Sequence, residues 1–192
     1  MGNWITNVWD RLFGERRELK LVIVGLDAAG KTTILNKMRF DEVVQTAPTI
    51  GVNTEDIQIR NVSIKVFDLA GQEKMRNVWK YYYSSIEGVI FVLDSTRADR
   101  IQEARDEILG LLANEEARQI PCLIFANKQD LPNALSAAAL VEALGIAEHV
   151  NKKPVSLVRV QESSALQDQG LAEGFEWIVD KISSLGLAKQ AA

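Results

Sequence analysis

The stretch that decides the fold is Gly25-Leu26-Asp27-Ala28-Ala29-Gly30-Lys31-Thr32. It has the spacing G-x-x-x-x-G-K-[ST], and it lies between the apolar run LKLVIV at residues 19–24 and the helix-like TILNKM at residues 33–38. A strand, a glycine-bearing turn and a helix N-terminus direct several backbone N–H groups and the helix dipole at one point. The stretch therefore predicts a phosphate-binding loop; the alternative is a chance match in an ordinary strand–turn–helix.

The residues of this loop offer a polyphosphate different groups. Lys31 supplies a cation for the outer phosphates, and the Thr32 hydroxyl is an oxygen ligand of the kind that Mg²⁺ takes. The expected phosphate-binding residues of the loop are Asp27, Ala28, Ala29, Gly30, Lys31, Thr32 and Thr33.

The composition is that of a globular protein with one domain and a short appendage. The chain has 192 residues, of which 47% are hydrophobic and 25% charged. A net charge of -4 argues against a nucleic-acid partner, which usually requires a basic surface. The single cysteine, Cys122, has no second cysteine to pair with, and no apolar run is long enough to span a bilayer. We expect a monomeric protein in a reducing, cytoplasmic compartment.

The N-terminus carries a second signal. Residues 1–6, MGNWIT, fit the N-myristoylation pattern M-G-x-x-x-[ST], with Gly2 as the acceptor. Large apolar residues then recur in pairs every four positions, up to Phe13, and form one stripe on a helix. Residues 1–17 are therefore predicted to be an amphipathic helix that contacts membrane lipids reversibly; the alternative is a helix packed permanently on the domain.

Downstream, strand-like and helix-like patterns alternate. Strands are expected at residues 88–94, 121–126 and 155–160, with helices at 98–114 and 136–144 and a C-terminal helix ended by Gly186. Residues 41–51 read as a loop, and two alternating segments around residues 57–66 read as an antiparallel hairpin turning at 60–61. This order predicts an α/β fold with a six-stranded, mostly parallel, doubly wound sheet and one antiparallel strand. The expected domain covers residues 18–186, followed by a frayed tail at 187–192.

Two further groups of residues are predicted around the phosphates. Asp68 ends a strand beside the phosphate loop, where a carboxylate holds Mg²⁺ through water, and Thr49 completes that metal site. Gly71 lacks a Cβ and allows close approach to a γ-phosphate, and Gln72 orients an attacking water. Gln72, Lys31 and Thr49 are the expected catalytic residues.

The base is predicted by Asn127-Lys128-Gln129-Asp130, which follows a buried strand. The carboxylate of Asp130 accepts two hydrogen bonds from the N1–H and N2–H₂ of guanine, a donor pair that adenine lacks. The Lys128 stem covers the purine face, and Asn127 ties the loop together. After the last strand, Ser164 and Ala165 complete the expected guanine site, with the Ala165 N–H directed at guanine O6.

With these motifs in place, the chain resembles the Arf and Arf-like family of small GTPases in the Ras superfamily. The segments that carry the resemblance are the Met1-Gly2 start, GLDAAGKTT at residues 25–33, PTIG at 48–51, WKYY at 79–82 and NKQD at 127–130. The resemblance implies a small G domain that binds GTP or GDP with Mg²⁺ and works with an exchange factor, a GTPase-activating protein (GAP) and effector proteins. It also implies a role in vesicle trafficking on the cytoplasmic face of endomembranes, the Golgi among them.

The resemblance further implies that the Thr49 and Gly71 regions are switches I and II. The hairpin between them would slide on GTP binding and expel the N-terminal helix onto the membrane. Ala70 stands where the family usually has Gly, and Val52 and Phe67 replace the Phe and Trp of its effector-reading aromatic cluster, in which Tyr82 remains.

Two other functions compete with a GTP-driven switch. A phosphotransferase with the same loop would need an acceptor site and an arginine-rich lid, and the sequence has no such arginine cluster. A nucleotide-binding scaffold without turnover would not need the Thr32, Thr49 and Gln72 set.

Overall fold

A single twisted sheet organises the part of the chain that the structure describes. The computed structural model describes residues 19–38, 47–48, 54–59, 62–68, 86–115, 117–146 and 157–190. The strands are β1 (Leu19–Gly25), β2 (Ala47–Pro48), β3 (Thr54–Ile59), β4 (Val62–Asp68), β5 (Gly88–Asp94), β6 (Cys122–Asn127) and β7 (Val158–Glu162). Within these residues the sheet order is β2-β3-β4-β1-β5-β6-β7.

Five neighbouring strands of the described sheet, from β4 to β7 in the sheet order, run parallel to one another. β1 pairs in parallel with β4 and β5, and β6 pairs in parallel with β5 and β7. β3 runs antiparallel to β4, and the two-residue β2 runs antiparallel to β3. The continuous apolar runs of β1, β5 and β6 are what a strand covered on both faces requires.

Helices cover both faces of this sheet. They are α1 (Lys31–Met38), α2 (Ile101–Ala113), α3 (Ala137–Ala143) and α4 (Leu171–Gln190). One core cluster joins apolar side chains of α1 and α4 to one sheet face, for example Leu35 and Phe175 against Phe125. The other joins α2 and α3 to the opposite face, for example Ile108 and Leu140. From Leu21 to Val24, successive residues of β1 enter opposite clusters, and this alternation gives the fold its two layers of core.

Several predicted boundaries need correction. The sheet has seven strands in the described residues rather than six, because Ala47–Pro48 forms a short strand inside the segment expected to be a loop. The last strand is Val158–Glu162 rather than residues 155–160, because its pairing with β6 begins at Cys122 and Val158. Tertiary pairing, rather than the apolar pattern, therefore sets where this strand begins.

The helix boundaries also differ from expectation. The segment expected as one helix over residues 98–114 begins with a 3₁₀ turn, Ala98–Arg100, before α2. α4 continues past Gly186 to Gln190, so Gly186 does not end the helix as expected. A glycine costs about 1 kcal/mol inside a helix, and that cost is not enough to end one. The predicted α3 is confirmed: the Ser136 hydroxyl accepts from the Ala139 N–H at 3.3 Å, and the left-handed Gly145 follows the helix.

Candidate nucleotide-binding site

The phosphate loop connects β1 to α1 through backbone shapes that its glycines permit. Gly25 has a φ of +152°, and a Cβ there would overlap the Val92 carbonyl of the neighbouring strand. Gly30 has a φ of +104°, and a Cβ there would overlap the Asn127 side chain. Both positions therefore require glycine because of their φ and because of close packing. The loop and the first turn of α1 line a cavity of about 250 Å³, formed by Asp27, Ala28, Gly30, Lys31, Thr32 and Thr33.

The ammonium group of Lys31 is held by the start of the loop. Its Nζ donates to the carbonyl oxygens of Gly25 at 2.8 Å and Leu26 at 2.7 Å. Lys31 is only 5% exposed, and these two acceptors compensate the charge that it brings into a buried position. The cation is thereby placed at the cavity rather than in bulk solvent.

The carboxylate of Asp27 is paired across the loop with the chain just before α2. Arg100 Nη2 lies 2.8 Å from Asp27 Oδ1, and Arg100 Nη1 donates to the Asp27 carbonyl at 3.4 Å. The hydrogen bond from the Arg100 guanidinium is the main cause that lowers the pKa of Asp27. Arg100 also donates through Nε to Glu103 at 2.9 Å, and its bonds to Glu103 and Asp27 raise its own pKa.

Asn127 joins the phosphate loop to the two loops that follow β6 and β7. Its Nδ2 donates to the Ala29 carbonyl at 2.8 Å, and its Oδ1 accepts from the Ala165 N–H at 3.0 Å. Asn127, Ala29 and Ala165 are all buried, so both bonds are shielded from water. The sequence predicted Asn127 as the residue that ties the loop together, and this geometry agrees. The Ala165 N–H, expected to face guanine O6, has a partner within the protein.

Lys128 is fixed at both its backbone and its side chain. Its φ of +70° turns the chain sharply after β6, and its Nζ lies 2.6 Å from Asp94 Oδ2 at the end of β5. Thr96 donates to the other Asp94 oxygen through its N–H at 3.0 Å and its hydroxyl at 2.6 Å. Burial raises the pKa of Asp94, but the hydrogen bonds from Lys128 and Thr96 outweigh it, and the net shift is downward.

The structure brings together Asp130 and Ser164, two residues predicted for the guanine site. The Ser164 hydroxyl donates to Asp130 Oδ1 at 2.6 Å and accepts from the Gln167 N–H at 3.1 Å. The loop after β7, which carries Ser164, is braced by paired backbone hydrogen bonds between Ser164 and Gln169 at 3.0 and 3.1 Å. An ionised carboxylate has about four acceptor positions, so Asp130 keeps acceptor capacity after the bond from Ser164.

The loop that carries residues 127–130, called the base loop because the sequence predicts that it binds the base, has supporting residues that sequence reasoning missed. Gln129 Nε2 donates to the Leu135 carbonyl at 2.9 Å and to Ser95 Oγ at 3.1 Å. Ser95 is fully buried, and its hydroxyl donates to the Asn127 carbonyl at 2.5 Å. Asp94 could have been found as a polar residue at the carboxyl end of a predicted strand, next to the strand that carries the NKQD segment. Arg100 and Ser95 carry no comparable local signal.

Two of the three residues predicted to hold Mg²⁺, Thr32 and Asp68, lie among the described residues. Thr32 is exposed and lines the cavity, where its hydroxyl suits a hard cation, and the Asp68 backbone pairs in register with Gly25 at the start of the loop. Among the residues that the structure describes, no group of three or more His, Cys, Asp or Glu residues could hold a metal ion. A hydroxyl beside a phosphate cavity fits Mg²⁺, which is commonly bound through few protein ligands together with phosphates and water. The predicted residues Thr49, Gly71, Gln72 and Gly2 lie outside the described residues.

A phosphate loop with a base loop at the carboxyl ends of parallel strands defines the class of P-loop nucleotide-binding proteins. The model of the ADP-ribosylation factor family matches residues 5–182, and the chain belongs to this family of small GTPases. The resemblance read from the sequence is thereby confirmed. The protein is accordingly a GTP-binding switch with GTPase activity, of a family that binds GTP or GDP with Mg²⁺ and works with exchange factors, GAPs and effectors. The family associates with membranes peripherally, and the described residues contain no helix suited to crossing one.

Proposed function

We propose that this chain holds GTP or GDP with the residues predicted from its sequence, hydrolyses GTP slowly when alone, and acts in vesicle trafficking at endomembranes through its N-terminal helix. The observation that carries the nucleotide part is the Asn127 side chain, which bonds to Ala29 in the phosphate loop and to Ala165 in the base region. One buried side chain thus sets the spacing between a phosphate cavity and a carboxylate at Asp130. A nucleotide needs both at a set distance, and a carboxylate acceptor at the base suits the N1–H and N2–H₂ donors of guanine.

In the phosphate cavity, the backbone N–H groups of the loop and the Lys31 ammonium would stabilise the charge of the polyphosphate. The Thr32 hydroxyl and Thr49 would hold Mg²⁺, and Asp68 would hold it through a water molecule. The ion would neutralise charge on the phosphates. Gly71 would allow the γ-phosphate to approach the backbone, and Gln72 would orient the attacking water. The Arg100 guanidinium is already bonded to Asp27 and Glu103 and so does not serve as the arginine that stabilises the transferred phosphate. This supports a proposal in which a GAP supplies that arginine.

In the base region, Asp130 would accept from guanine N1–H and N2–H₂ while Ser164 fixes its carboxylate. Asp94 would hold the Lys128 ammonium so that its stem lies along the purine. The Ala165 N–H donates to Asn127 Oδ1, so its contribution to O6 would be a shared bond or a backbone position that shapes the pocket.

The test of base recognition is nucleotide competition with Asp130→Asn. Asp130→Asn keeps one acceptor oxygen and replaces the other with an NH₂ group, so one of the two bonds to guanine is lost. One charge-assisted hydrogen bond lost costs about 1.5–3 kcal/mol, so GTP affinity should fall by roughly 10- to 150-fold, with a gain in affinity for xanthosine triphosphate. Asp180→Asn is the matched control, because it removes the same charge from an exposed position on α4. Unchanged GTP affinity in Asp130→Asn would remove the base assignment.

Phosphate release with and without a nucleoside acceptor or a family GAP separates a switch from a phosphotransferase or an inert scaffold.

The membrane part of the proposal rests on residues 1–17, including Gly2. A single myristoyl chain binds membranes only marginally, with a constant of about 10⁴ M⁻¹, so the apolar stripe of the helix would supply the second attachment. If GTP favours the state with the helix released, a membrane that captures the helix must favour GTP, because linkage is reciprocal.

Two variants test this coupling. Deleting residues 1–17 should speed GTP loading in solution and remove its dependence on liposomes. Gly2→Ala should keep nucleotide binding and lose most recovery with liposomes. If the truncated and full-length proteins load GTP equally, with and without liposomes, the helix is an anchor and not part of the switch.

A further inference from the structure

The contact between Asp27 and Arg100 assigns a role to a residue outside the phosphate and base motifs. We propose that Arg100 is a positioning residue that holds the Asp27 carboxylate at the edge of the phosphate cavity and cancels its charge there, so that the cavity retains GTP. This inference rests on the proposed function, since it concerns how the same cavity holds its phosphates.

The position of Asp27 creates the problem that Arg100 solves. Asp27 lines the cavity together with Lys31 and Thr32, so it brings a negative charge to a place proposed for phosphates. Its side chain is 68% exposed and has room to turn. An unpaired carboxylate there would repel the phosphates and would compete with them for the Lys31 ammonium, whose charge also acts on Asp27.

Arg100 is suited to restrain that carboxylate. Its side chain is 21% exposed, and it contacts Asp27 at both the carboxylate and the backbone carbonyl. The two contacts together hold the side chain and the turn of the loop. The Nε bond to Glu103, one turn along the chain, keeps the guanidinium directed toward the loop. Because Arg100 lies 73 positions from Asp27, this contact also links the phosphate loop to the segment that precedes α2.

The effect should depend on the number of phosphates. A freed Asp27 carboxylate repels GTP more than GDP, because GTP brings an additional charged phosphate to the cavity. Exposed charge pairs have modest effects, so we expect GTP release to accelerate about three- to five-fold and GDP release to change less. The difference should shrink at high salt, which screens exposed charges.

The experiment measures the release rates of fluorescent GTP and GDP analogues from the full chain with Mg²⁺. Arg100→Met should speed GTP release, and adding Asp27→Asn in the same chain should restore it, because the charge that Arg100 cancels is then gone. Arg100→Lys should lie between wild type and Arg100→Met. Arg97→Met is the matched control: it removes an arginine three positions away that is paired with the exposed Asp99.

Each outcome decides the matter. Selective GTP release in Arg100→Met with rescue by Asp27→Asn supports the inference. The inference is overturned if Arg100→Met and wild type release GTP at the same rate. It is also overturned if Arg100→Met releases GTP faster and Asp27→Asn does not restore the wild-type rate. That second result would mean that Arg100 only supports the fold, and thermal unfolding of the two variants would show the same loss of stability. A wild-type chain that binds no guanine nucleotide would instead defeat the proposed function.

Discussion

Replacing Asn127 is the most direct perturbation of the candidate site. Asn127→Ala removes both bonds that connect the phosphate loop to the base region, one to the Ala29 carbonyl and one from the Ala165 N–H. Ala29 and Ala165 are 1% and 3% exposed, so neither backbone group gains water easily when its partner is lost. The predicted result is a less stable fold and faster release of nucleotide.

The size of the loss follows from these two groups. A buried donor or acceptor left without a partner costs about 1–3 kcal/mol, so two of them cost roughly 2–6 kcal/mol of unfolding free energy. That is a large share of the roughly 5–15 kcal/mol that stabilises a typical domain. Asn127→Asp separates the two contacts, because it keeps the acceptor for Ala165 but places a carboxylate oxygen against the Ala29 carbonyl.

The sign of the pH dependence distinguishes the two variants. Burial next to an acceptor should raise the folded-state pKa of the carboxyl introduced by Asn127→Asp. Its protonated form donates to Ala29, so stability should recover as the pH falls through that raised pKa and be lost as the pH rises through it. Asn127→Ala has no such group and should show no recovery of this kind.

The assay is urea unfolding at a constant concentration of GDP and Mg²⁺, together with release of a fluorescent guanine nucleotide. Asn133→Ala is the control, since Asn133 is exposed and its side chain donates to the Thr96 carbonyl at 3.3 Å; its effect should stay within about 0.5 kcal/mol. If Asn127→Ala costs no more than Asn133→Ala and releases nucleotide at the wild-type rate, the bridging role is refuted.

Three further predictions concern catalysis, the metal and the base loop. Gln72→Leu should keep GTP bound but lower GAP-stimulated hydrolysis in single-turnover assays, because the water-orienting amide is gone; wild-type rates would contradict this. Thr32→Asn should weaken retention of GTP more than of GDP when Mg²⁺ is present, and equal retention of both would remove the metal role of the hydroxyl. The pKa of Asp94 lies below its ordinary value of 3.8, so its stabilising effect is complete above that pH and is lost as the pH falls through the lower folded value. Acid unfolding of Asp94→Asn should lack this component, and an acid transition identical to wild type would count against the Lys128 pairing.

Local patterns were enough to predict most of the fold. The apolar runs of β1, β5 and β6, the Ser136 cap and the Gly145 end of α3 all appear where the sequence indicates them. These features depend on neighbours within a few residues, as strand and helix periodicity does. The errors lie at the edges. Pairing with distant strands sets the boundaries of β2 and the start of β7, whereas a 3₁₀ turn precedes α2 and a glycine does not end α4.

The candidate site divides in the same way. The sequence by itself determined the family and predicted the phosphate loop and the base segment, because the motifs that carry them are contiguous and their chemistry follows from residue order. Only the tertiary structure decided how those motifs are joined: Asn127 reaches Ala29 across 98 positions, and Arg100 reaches Asp27 across 73. Parallel strands bring their carboxyl ends to one edge of the sheet, so side chains far apart in the sequence meet there. No local pattern records which of them will be in hydrogen-bonding distance.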